Sequence, residues 1–274
     1  YTADTPRGGK NNWSFGCPLT FPVKIHWQTI FRSGMENKSS LSVEWTRHYG
    51  AGSKVKLEEN DVNVFRMSRL IRQSDNEIFS DDMFSDCLLN PHPVSRSINA
   101  LLNTGKGGTI YLGIQQDGTV KGLMLTPSQM CHTRESIYNI LDSYNPVVPK
   151  ELVGVTFVPV VSNEREKFYM QNSDLEITMS DESHSFDPVT FCWCDKEAMQ
   201  FLTRGIHHPF YVIEITISSW EQIKDTKNVL HPLYENEEKK VFIRTNHSDV
   251  CHNVASIITL TENELKLKHP FTKT

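Results

Sequence analysis

Several motifs that would assign this chain to a common enzyme class are missing. The 274 residues contain no phosphate-binding G-x-x-x-x-G-K-S/T loop, no G-x-S-x-G nucleophile turn and no H-E-x-x-H metalloprotease helix. They also contain no apolar run of the about eighteen residues that a membrane-spanning helix needs. These absences argue against a nucleotide hydrolase, a serine hydrolase, a zinc protease of that kind and membrane contact by this segment.

The chain also lacks an excess of positive charge and a regular cysteine framework. Its formal net charge is −5 at pH 7, which argues against a surface covered with nucleic-acid-binding charge but leaves room for a local basic groove. The six cysteines follow no regular spacing, a pattern typical of a reducing compartment rather than of a disulfide scaffold. We therefore expect a cytoplasmic protein. The first residue is Tyr rather than Met, so we expect a fragment whose targeting or membrane segments lie elsewhere.

The most informative stretch is residues 97–123, SINALLNTGKGGTIYLGIQQDGTVKGL. Apolar residues at helical spacing lead into Asn-Thr-Gly and a Gly-Gly turn, which predicts a helix from about Pro93 to Asn103. The β-branched and aromatic run that follows predicts a buried strand over 109–114. Asp117-Gly118 then predicts a hairpin into a second strand.

The rest of the chain predicts a mixed fold. Alternating or β-branched runs predict further strands over residues 21–31, 41–47, 153–161, 211–217, 241–244 and 256–260. Thr126-Pro127-Ser128 predicts the start of a helix, and the acidic stretch near 172–187 predicts a disordered loop. Because strands and helices do not alternate regularly, we predict an α+β class. We divide the chain into an N-terminal extension over 1–74, whose strands pack on the core, and a main domain over 75–274.

The order of residues in the central block resembles the AlbA-like domain of the Schlafen family. In both, a helix ends in Asn-Thr, and a Gly-Gly turn, an apolar strand, a polar hairpin and a G-x-V-x-G segment follow. Weaker similarity surrounds the block in three places: Phe79-Ser80-Asp81-x4-Asp86 stands where the family has F-x-E-x4-E, and residues 209–220 and 240–244 resemble later family strands. The resemblance covers roughly residues 75–260.

The resemblance carries expectations about fold and function. It implies a mixed sheet with flanking helices, amounting to about one lobe of a Schlafen core. Members of the family include endonucleases that cut tRNA and rRNA, and small Schlafen-like subunits of a nematode complex that trims piRNA precursors. Of these, the chain most resembles the small Schlafen-like subunits.

Two aspartates are the candidate catalytic residues that the resemblance implies. Family nucleases hold a divalent metal with two carboxylates five residues apart and a third from the hairpin after the Gly-Gly strand, and the metal activates water for attack on phosphate. The first two positions match Asp81 and Asp86, but the third matches the neutral Gln115. Three interpretations stay open: a solvated acidic turn, an independent nuclease, and a subunit that lends residues to a composite site. Mg²⁺ or Mn²⁺ is expected only in an assembled complex.

Cysteine and histidine form a second group of candidate ligands. Cys192-x-Cys194 lies near His184, His207 and His208, and tetrahedral zinc takes four such ligands. Larger Schlafen proteins carry a zinc site made of an H-x-C pair and a later C-C pair, whereas this chain has Ser218-Ser219 at the later position. We therefore assign no metal ligands and expect no zinc. The alternative to a zinc site is that these cysteines are buried or free thiols.

Basic residues form the third group. Arg66, Arg69 and Arg72 recur at three-residue spacing, which would align them on one helix face, and such a face can follow an RNA backbone. A solvated helix face is the alternative. The full set of predicted RNA-binding residues is Lys54, Lys56, Arg66, Arg69, Arg72, Arg96, Lys106 and Lys121.

Together these patterns predict a subunit of a Schlafen-like RNA endonuclease complex that processes small-RNA precursors by piRNA 5′-end cleavage. The chain would contribute to a composite cleft as a pseudo-nuclease, and other Schlafen-like subunits would complete that cleft. Five tryptophans, a residue type enriched at interfaces, agree with such partners. The alternative is a non-catalytic module that binds RNA or acts as a scaffold.

Overall fold

The computed structural model describes residues 46–67, 69, 71, 93–163, 182–186, 192–220, 231–245, 247–253, 255–259 and 262. Within this part of the chain, one mixed sheet forms the centre of the fold. Its order is β1 (Tyr49–Gly50), β5 (Val153–Val161), β6 (Phe210–Ile217), β3 (Gly108–Leu112) and β2 (Asn63–Arg66). The central strand β6 is antiparallel to β5 and β3, while the outer pairs β1–β5 and β2–β3 are parallel. A short strand, β4 (Leu123–Met124), pairs with the beginning of β6.

Helices cover one face of this sheet. They are α1 (Val94–Thr104) and α2 (Pro127–Ser143), whose Ile98 and Ile137 belong to the same buried cluster as Ile213 and Ile215 of β6. The amphipathic pattern of α1 and its end at Gly105, with φ of 68°, match the expected C-terminal signal. A third helix, α3 (Trp193–Thr203), precedes β6. None of the described helices has the length and apolar character needed to cross a bilayer.

The opposite face of β6 carries a buried carboxylate. Because side chains alternate along a strand, Val212 and Glu214 face away from the helices, and Val212 joins a second, smaller apolar cluster. Arg47 donates two hydrogen bonds to Glu214, at 2.7 and 2.5 Å, and the Tyr49 hydroxyl donates a third at 2.6 Å. These bonds fix the segment that leads into β1 against the central strand.

A separate hairpin lies against α1. It consists of β7 (Val241–Thr245) and β8 (Ser248–His252). The buried side chain of Asn103 accepts a hydrogen bond from the Tyr234 backbone and donates to the Phe242 carbonyl, at 2.8 and 3.0 Å. Asn99 accepts a further bond from the Phe242 backbone at 2.8 Å. The hairpin is therefore attached to the sheet through one polar side of α1.

The α+β class and the mixed sheet with flanking helices are confirmed. The helix predicted from about Pro93 and the strands predicted over 109–114, 153–161, 211–217 and 241–244 are present with shifts of one or two residues. The strand predicted over 256–260 is wrong, because residues 255–259 are helical. The Asn253 side chain accepts from the Ser256 backbone at 2.9 Å, and the Ser256 hydroxyl accepts from the Asn253 backbone, which starts a helical turn.

Other expectations fall mainly outside the described residues. They include the strand over 21–31, nearly all of the strand over 41–47, and most of the acidic loop near 172–187. Within the predicted extension over 1–74, β1 and β2 pair with β5 and β3 of the predicted main domain. The boundary between the two regions stays a prediction.

Candidate functional site

The hairpin after β3 is the place where the third nuclease carboxylate was expected. Asp81 and Asp86 lie outside the described residues. Gln115 is half-buried at the start of the hairpin, and its backbone N–H donates to the Thr119 carbonyl at 2.9 Å. The described hairpin therefore offers an amide where family nucleases have an acid.

Asp117, two residues further on, stabilises the same turn through its side chain. Its carboxylate accepts hydrogen bonds from the Thr119 backbone N–H at 2.9 Å and from the Thr119 hydroxyl at 2.8 Å. The backbone bond is the main cause that holds the pKa of Asp117 below its usual value. Lys54 adds an ion pair at 3.4 Å. The carboxylate of Asp117 is thus already bound by the turn that it closes.

The same hairpin brings three of the predicted RNA-binding lysines together. Lys54 lies directly opposite Thr119 in an antiparallel bridge, and Lys121 follows Thr119 by two residues in the same arm of the hairpin. Val55 and Val120 contact the smaller apolar cluster. Lys56 follows Lys54 by two residues, and all three lysines are exposed. We call Lys54, Lys56 and Lys121 the lysine face.

Lys106 lies away from the lysine face. It is exposed in the turn between α1 and β3, at the opposite end of β3 from the hairpin. Five residues of strand separate the two places, which corresponds to roughly 17 Å at about 3.3 Å per residue. Lys106 therefore does not belong to the lysine face.

The predicted helical stripe of arginines is wrong, because Arg66 ends a β-strand and Arg69 lies outside any helix or strand. Arg69 donates to Asp195 at 2.5 Å. Arg96 lies on α1, 3.8 Å from Glu238 and over the ring of Phe242. Arg72 is outside the described residues. The three-residue spacing indicated a helix face where the chain in fact leaves the sheet.

Arg66 belongs to a buried ion network. Its side chain is 7% exposed and lies 3.2 Å from Glu59 and 3.3 Å from Asp249. Arg244, with 0% side-chain exposure, contacts the same two acids at 3.3 and 2.8 Å. The Ser97 hydroxyl donates to Asp249 at 2.6 Å. The charges of the two buried arginines are balanced by the two carboxylates. Since these residues lie on different elements, the network joins β2, α1 and the β7–β8 hairpin.

A compact group of histidine and cysteine side chains lies elsewhere in the fold. The potential ligand atoms of His132, His184, Cys192 and Cys194 all lie within 4.8 Å of one another. His132 Nδ1 is 3.1 Å from Cys194 Sγ, and His184 Nδ1 is 3.4 Å from Cys192 Sγ. We call these four residues the His/Cys cluster.

The beginnings of α2 and α3 position the His/Cys cluster. Gln129 completes a reciprocal cap with Thr126 at the start of α2, and its side-chain amide donates to Asp195 of α3 at 2.8 Å. His132 lies about one helical turn after Gln129, and Cys194 immediately precedes Asp195. The hydrogen bond between Gln129 and Asp195 therefore lies beside the contact between His132 and Cys194. Cys192 is the residue that precedes the first turn of α3.

Burial sets the protonation of the cluster. Burial is the main cause that lowers the pKa of His132, to about 4, and that lowers the pKa of His184. Burial also raises the pKa of the Cys194 thiol. Without a bound cation, the imidazoles are therefore neutral near pH 7 and the Cys194 thiol keeps its proton.

The sequence named three of these four residues and missed the fourth. Cys192, Cys194 and His184 were considered together, but His207 and His208 do not belong to the cluster found among the described residues. His132 is 62 residues from Cys194, so no local spacing connects them. The one sequence signal was the predicted helix start at residues 126–128, which places His132 near the first turns of a buried helix.

Comparison with known families adds an independent finding. A family model described as Schlafen, AlbA_2 matches residues 71–251, about two thirds of the chain. The matched region contains the α1–β3 turn, the hairpin with Gln115 and the whole His/Cys cluster. The segment that carries Lys54 and Lys56 lies before it.

Proposed function

The chain belongs to the Schlafen family, and from this premise we propose that it is an RNA-binding subunit of a Schlafen-type endoribonuclease assembly. Membership in the family indicates a nucleic-acid-related function. The finer assignment, to the processing of small-RNA precursors by piRNA 5′-end cleavage in the cytoplasm, is our proposal. It extends the resemblance of this chain to the small Schlafen-like subunits.

One observation carries the proposal: the hairpin after β3 combines an exposed lysine face with an incomplete acidic site. Lysines that neutralise phosphates supply most of the sequence-independent affinity for RNA. At the same hairpin, Gln115 is neutral and Asp117 is bound to Thr119 and Lys54. A chain built in this way holds RNA without supplying every carboxylate that a Mg²⁺ or Mn²⁺ ion needs.

The missing carboxylate then comes from a partner. In this proposal a second Schlafen-like subunit supplies the third acid and the opposite wall of the cleft, and Mg²⁺ or Mn²⁺ binds in the assembled complex. Asp81 and Asp86 contribute the ligands of this chain. Pairing of similar domains about a pseudo-two-fold axis is a common way to build such a cleft.

A non-catalytic module that binds RNA or acts as a scaffold is the second candidate. The observation that favours it is that both oxygens of the hairpin carboxylate, Asp117, accept hydrogen bonds from Thr119 within the turn. The endonuclease subunit and the RNA-binding form of this module both require the lysine face to bind RNA, whereas a pure scaffold does not. Cleavage of the bound RNA by an assembled complex distinguishes the endonuclease subunit from both forms of the non-catalytic module.

The binding step is tested with a charge-matched pair of triple variants. We expect Lys54→Gln/Lys56→Gln/Lys121→Gln to weaken binding of a short fluorescent RNA and to flatten its salt dependence. Each lost phosphate contact lowers the slope of log K against log salt by about 0.7 for single strands. The control, Lys150→Gln/Lys196→Gln/Lys240→Gln, removes the same charge from exposed lysines elsewhere. Fluorescence anisotropy at several salt concentrations gives both slopes, and equal slopes for the two variants would contradict the assignment.

A further inference from the structure

We propose that His132, His184, Cys192 and Cys194 bind one zinc ion, which fastens the beginning of α3 and the segment around His184 to α2. This site is independent of the proposed RNA-binding role. It is also distinct from the H-x-C and C-C pairs that the family resemblance implies, because two of its ligands are His132 on α2 and His184.

The spacing of the ligand atoms fits tetrahedral zinc. With Zn–S near 2.3 Å and Zn–N near 2.0–2.1 Å, a tetrahedron separates its ligand atoms by roughly 3.3–3.8 Å. The two contacts between nitrogen and sulfur measure 3.1 and 3.4 Å, and all four potential ligand atoms lie within 4.8 Å of one another. The widest separation that this allows exceeds the tetrahedral value by about 1 Å, a difference that side-chain rotations can close.

The donor set also matches the charge of the ion. Two thiolates balance Zn²⁺, and two neutral imidazoles complete a set of the Cys₂His₂ type found in structural sites. Cys192 and Cys194 are 2% and 0% exposed, so a neutral assembly suits their surroundings. Their position at the start of α3 adds the partial positive charge of a helix N-terminus, which favours the thiolate form. Four protein ligands leave no open position for a substrate.

Neighbouring side chains hold the ligands in orientation. The ring of His184 stacks on Trp193 with centroids 5.0 Å apart, and His132 meets the edge of Phe186 at 5.4 Å. The Trp193 indole donates to the Ser183 carbonyl at 3.2 Å, which attaches the segment carrying His184 to α3. Supporting contacts of this kind are typical of metal sites, where they fix the direction of each ligand.

The later serine pair plays no part in this cluster. The Ser218 backbone donates to the Leu152 carbonyl at 2.8 Å, and the Ser219 hydroxyl donates to the Gly105 carbonyl at 3.2 Å. Both partners lie at the far end of β6 from the beginnings of α2 and α3. The expectation of no zinc was based on this missing pair, and it did not include His132.

Metal analysis of the purified full chain tests the proposal. We expect one zinc per chain by elemental mass spectrometry after exposure to zinc and gel filtration. Replacement by Co²⁺ should give the intense visible bands of a tetrahedral site and the near-ultraviolet charge-transfer absorption of cobalt–thiolate bonds. Thiol modification should release the metal. A folded chain that carries no zinc and gives no cobalt–thiolate absorption would overturn the proposal.

Variants identify the ligands. His132→Gln and Cys194→Ser should each lose the tightly bound zinc and change the cobalt spectrum. The matched control is Cys131→Ala, which alters a buried cysteine beside His132 that is not part of the cluster, and it should keep one zinc per chain. Unchanged zinc content in both ligand variants would contradict the assignment. If a ligand variant fails to fold, the spectrum and the thiol-dependent release measured on the unaltered chain still decide the question.

Discussion

Gly108 lies where a loop approaches β3 too closely for any side chain. Its φ is 155°, and a Cβ atom built on it would lie 2.4 Å from the Val62 carbonyl oxygen. That oxygen accepts the backbone hydrogen bond of Thr109 at 2.7 Å. The carbonyl therefore cannot move away without losing a bond of the β2–β3 connection, and glycine is required for contact as well as for the turn.

We expect Gly108→Val to destabilise the chain. The strained backbone costs on the order of 1–3 kcal/mol, which corresponds to a fall in melting temperature of roughly 3–10 °C for a chain of this size. Gly154→Val is the matched control, because nothing lies within 4 Å of a Cβ at that exposed strand position. Thermal unfolding followed by circular dichroism measures both variants. Equal melting temperatures for the two would show that the contact with Val62 does not constrain residue 108.

At the level of elements, a buried carboxylate attaches the β7–β8 hairpin to the rest of the fold, in addition to the buried side chains of Val241 and Phe242. Asp249 of β8 accepts hydrogen bonds from Ser97 of α1 and from Arg66 of β2. It also binds Arg244 of the neighbouring strand. The Asp249 carboxylate thus connects β8 to α1, β2 and β7. Because its side chain is only 4% exposed, water cannot take over these hydrogen bonds if the carboxylate is removed.

We expect Asp249→Asn to loosen this hairpin. Removing one partner from a buried ion network leaves uncompensated cations and costs about 3–5 kcal/mol. The control, Asp142→Asn, breaks a pair with Lys150 that is about half exposed on each side, and such pairs contribute about 0–1 kcal/mol. Urea unfolding compares the two free energies. A loss at Asp249 no larger than the loss at Asp142 would mean that the network contributes little.

At the scale of the whole molecule, charge is distributed unevenly. The chain carries a net charge of −5, yet the lysine face presents three exposed cations beside a hairpin that lacks the third acid. Repulsion from the overall negative charge weakens binding of RNA to an isolated chain. A basic wall from a second subunit would offset this repulsion, which is a further reason to place the cleft between two chains.

We expect metal-dependent RNA cleavage only in a complex with another Schlafen-like chain. With Mg²⁺ or Mn²⁺ the isolated chain should cut a structured or 5′-capped short RNA poorly, because Gln115 supplies no charge. In the complex, changing the third acid of the partner to alanine should reduce cleavage more than Asp81→Ala or Asp86→Ala does here. Sedimentation and gel-based cleavage assays measure assembly and activity.

Two results would contradict this expectation. Robust cleavage by the isolated chain that Asp81→Ala abolishes would show a complete site within one subunit. Sedimentation of the chain as a monomer that binds none of the Schlafen-like proteins of the same cell would favour the scaffold function instead. In either case the test of the lysine face stands, because it measures binding and not cleavage.

Elements whose signals are local can be predicted from the amino-acid sequence alone. The helix that ends at Gly105, the strand after the Gly-Gly turn, the hairpin at Asp117-Gly118 and the strands β5 and β6 all follow from glycine positions and from runs of β-branched residues. Local rules suffice there because each signal and the element that it controls lie within a few residues. The prediction of a strand over 256–260 was wrong because another local signal was stronger. The reciprocal hydrogen bonds between Asn253 and Ser256 start a helical turn despite the apolar pattern.

Which polar groups contact one another depends instead on how distant segments pack in the folded chain. Nothing near Arg66 in the sequence indicates that it is buried against Glu59 and Asp249, and a spacing of three residues suggested a helix instead. Likewise, His132 reaches Cys194 across 62 residues because α2 and α3 begin side by side. Burial and pairing depend on contacts between distant segments, and those contacts are fixed by the packing of the whole core rather than by any local pattern.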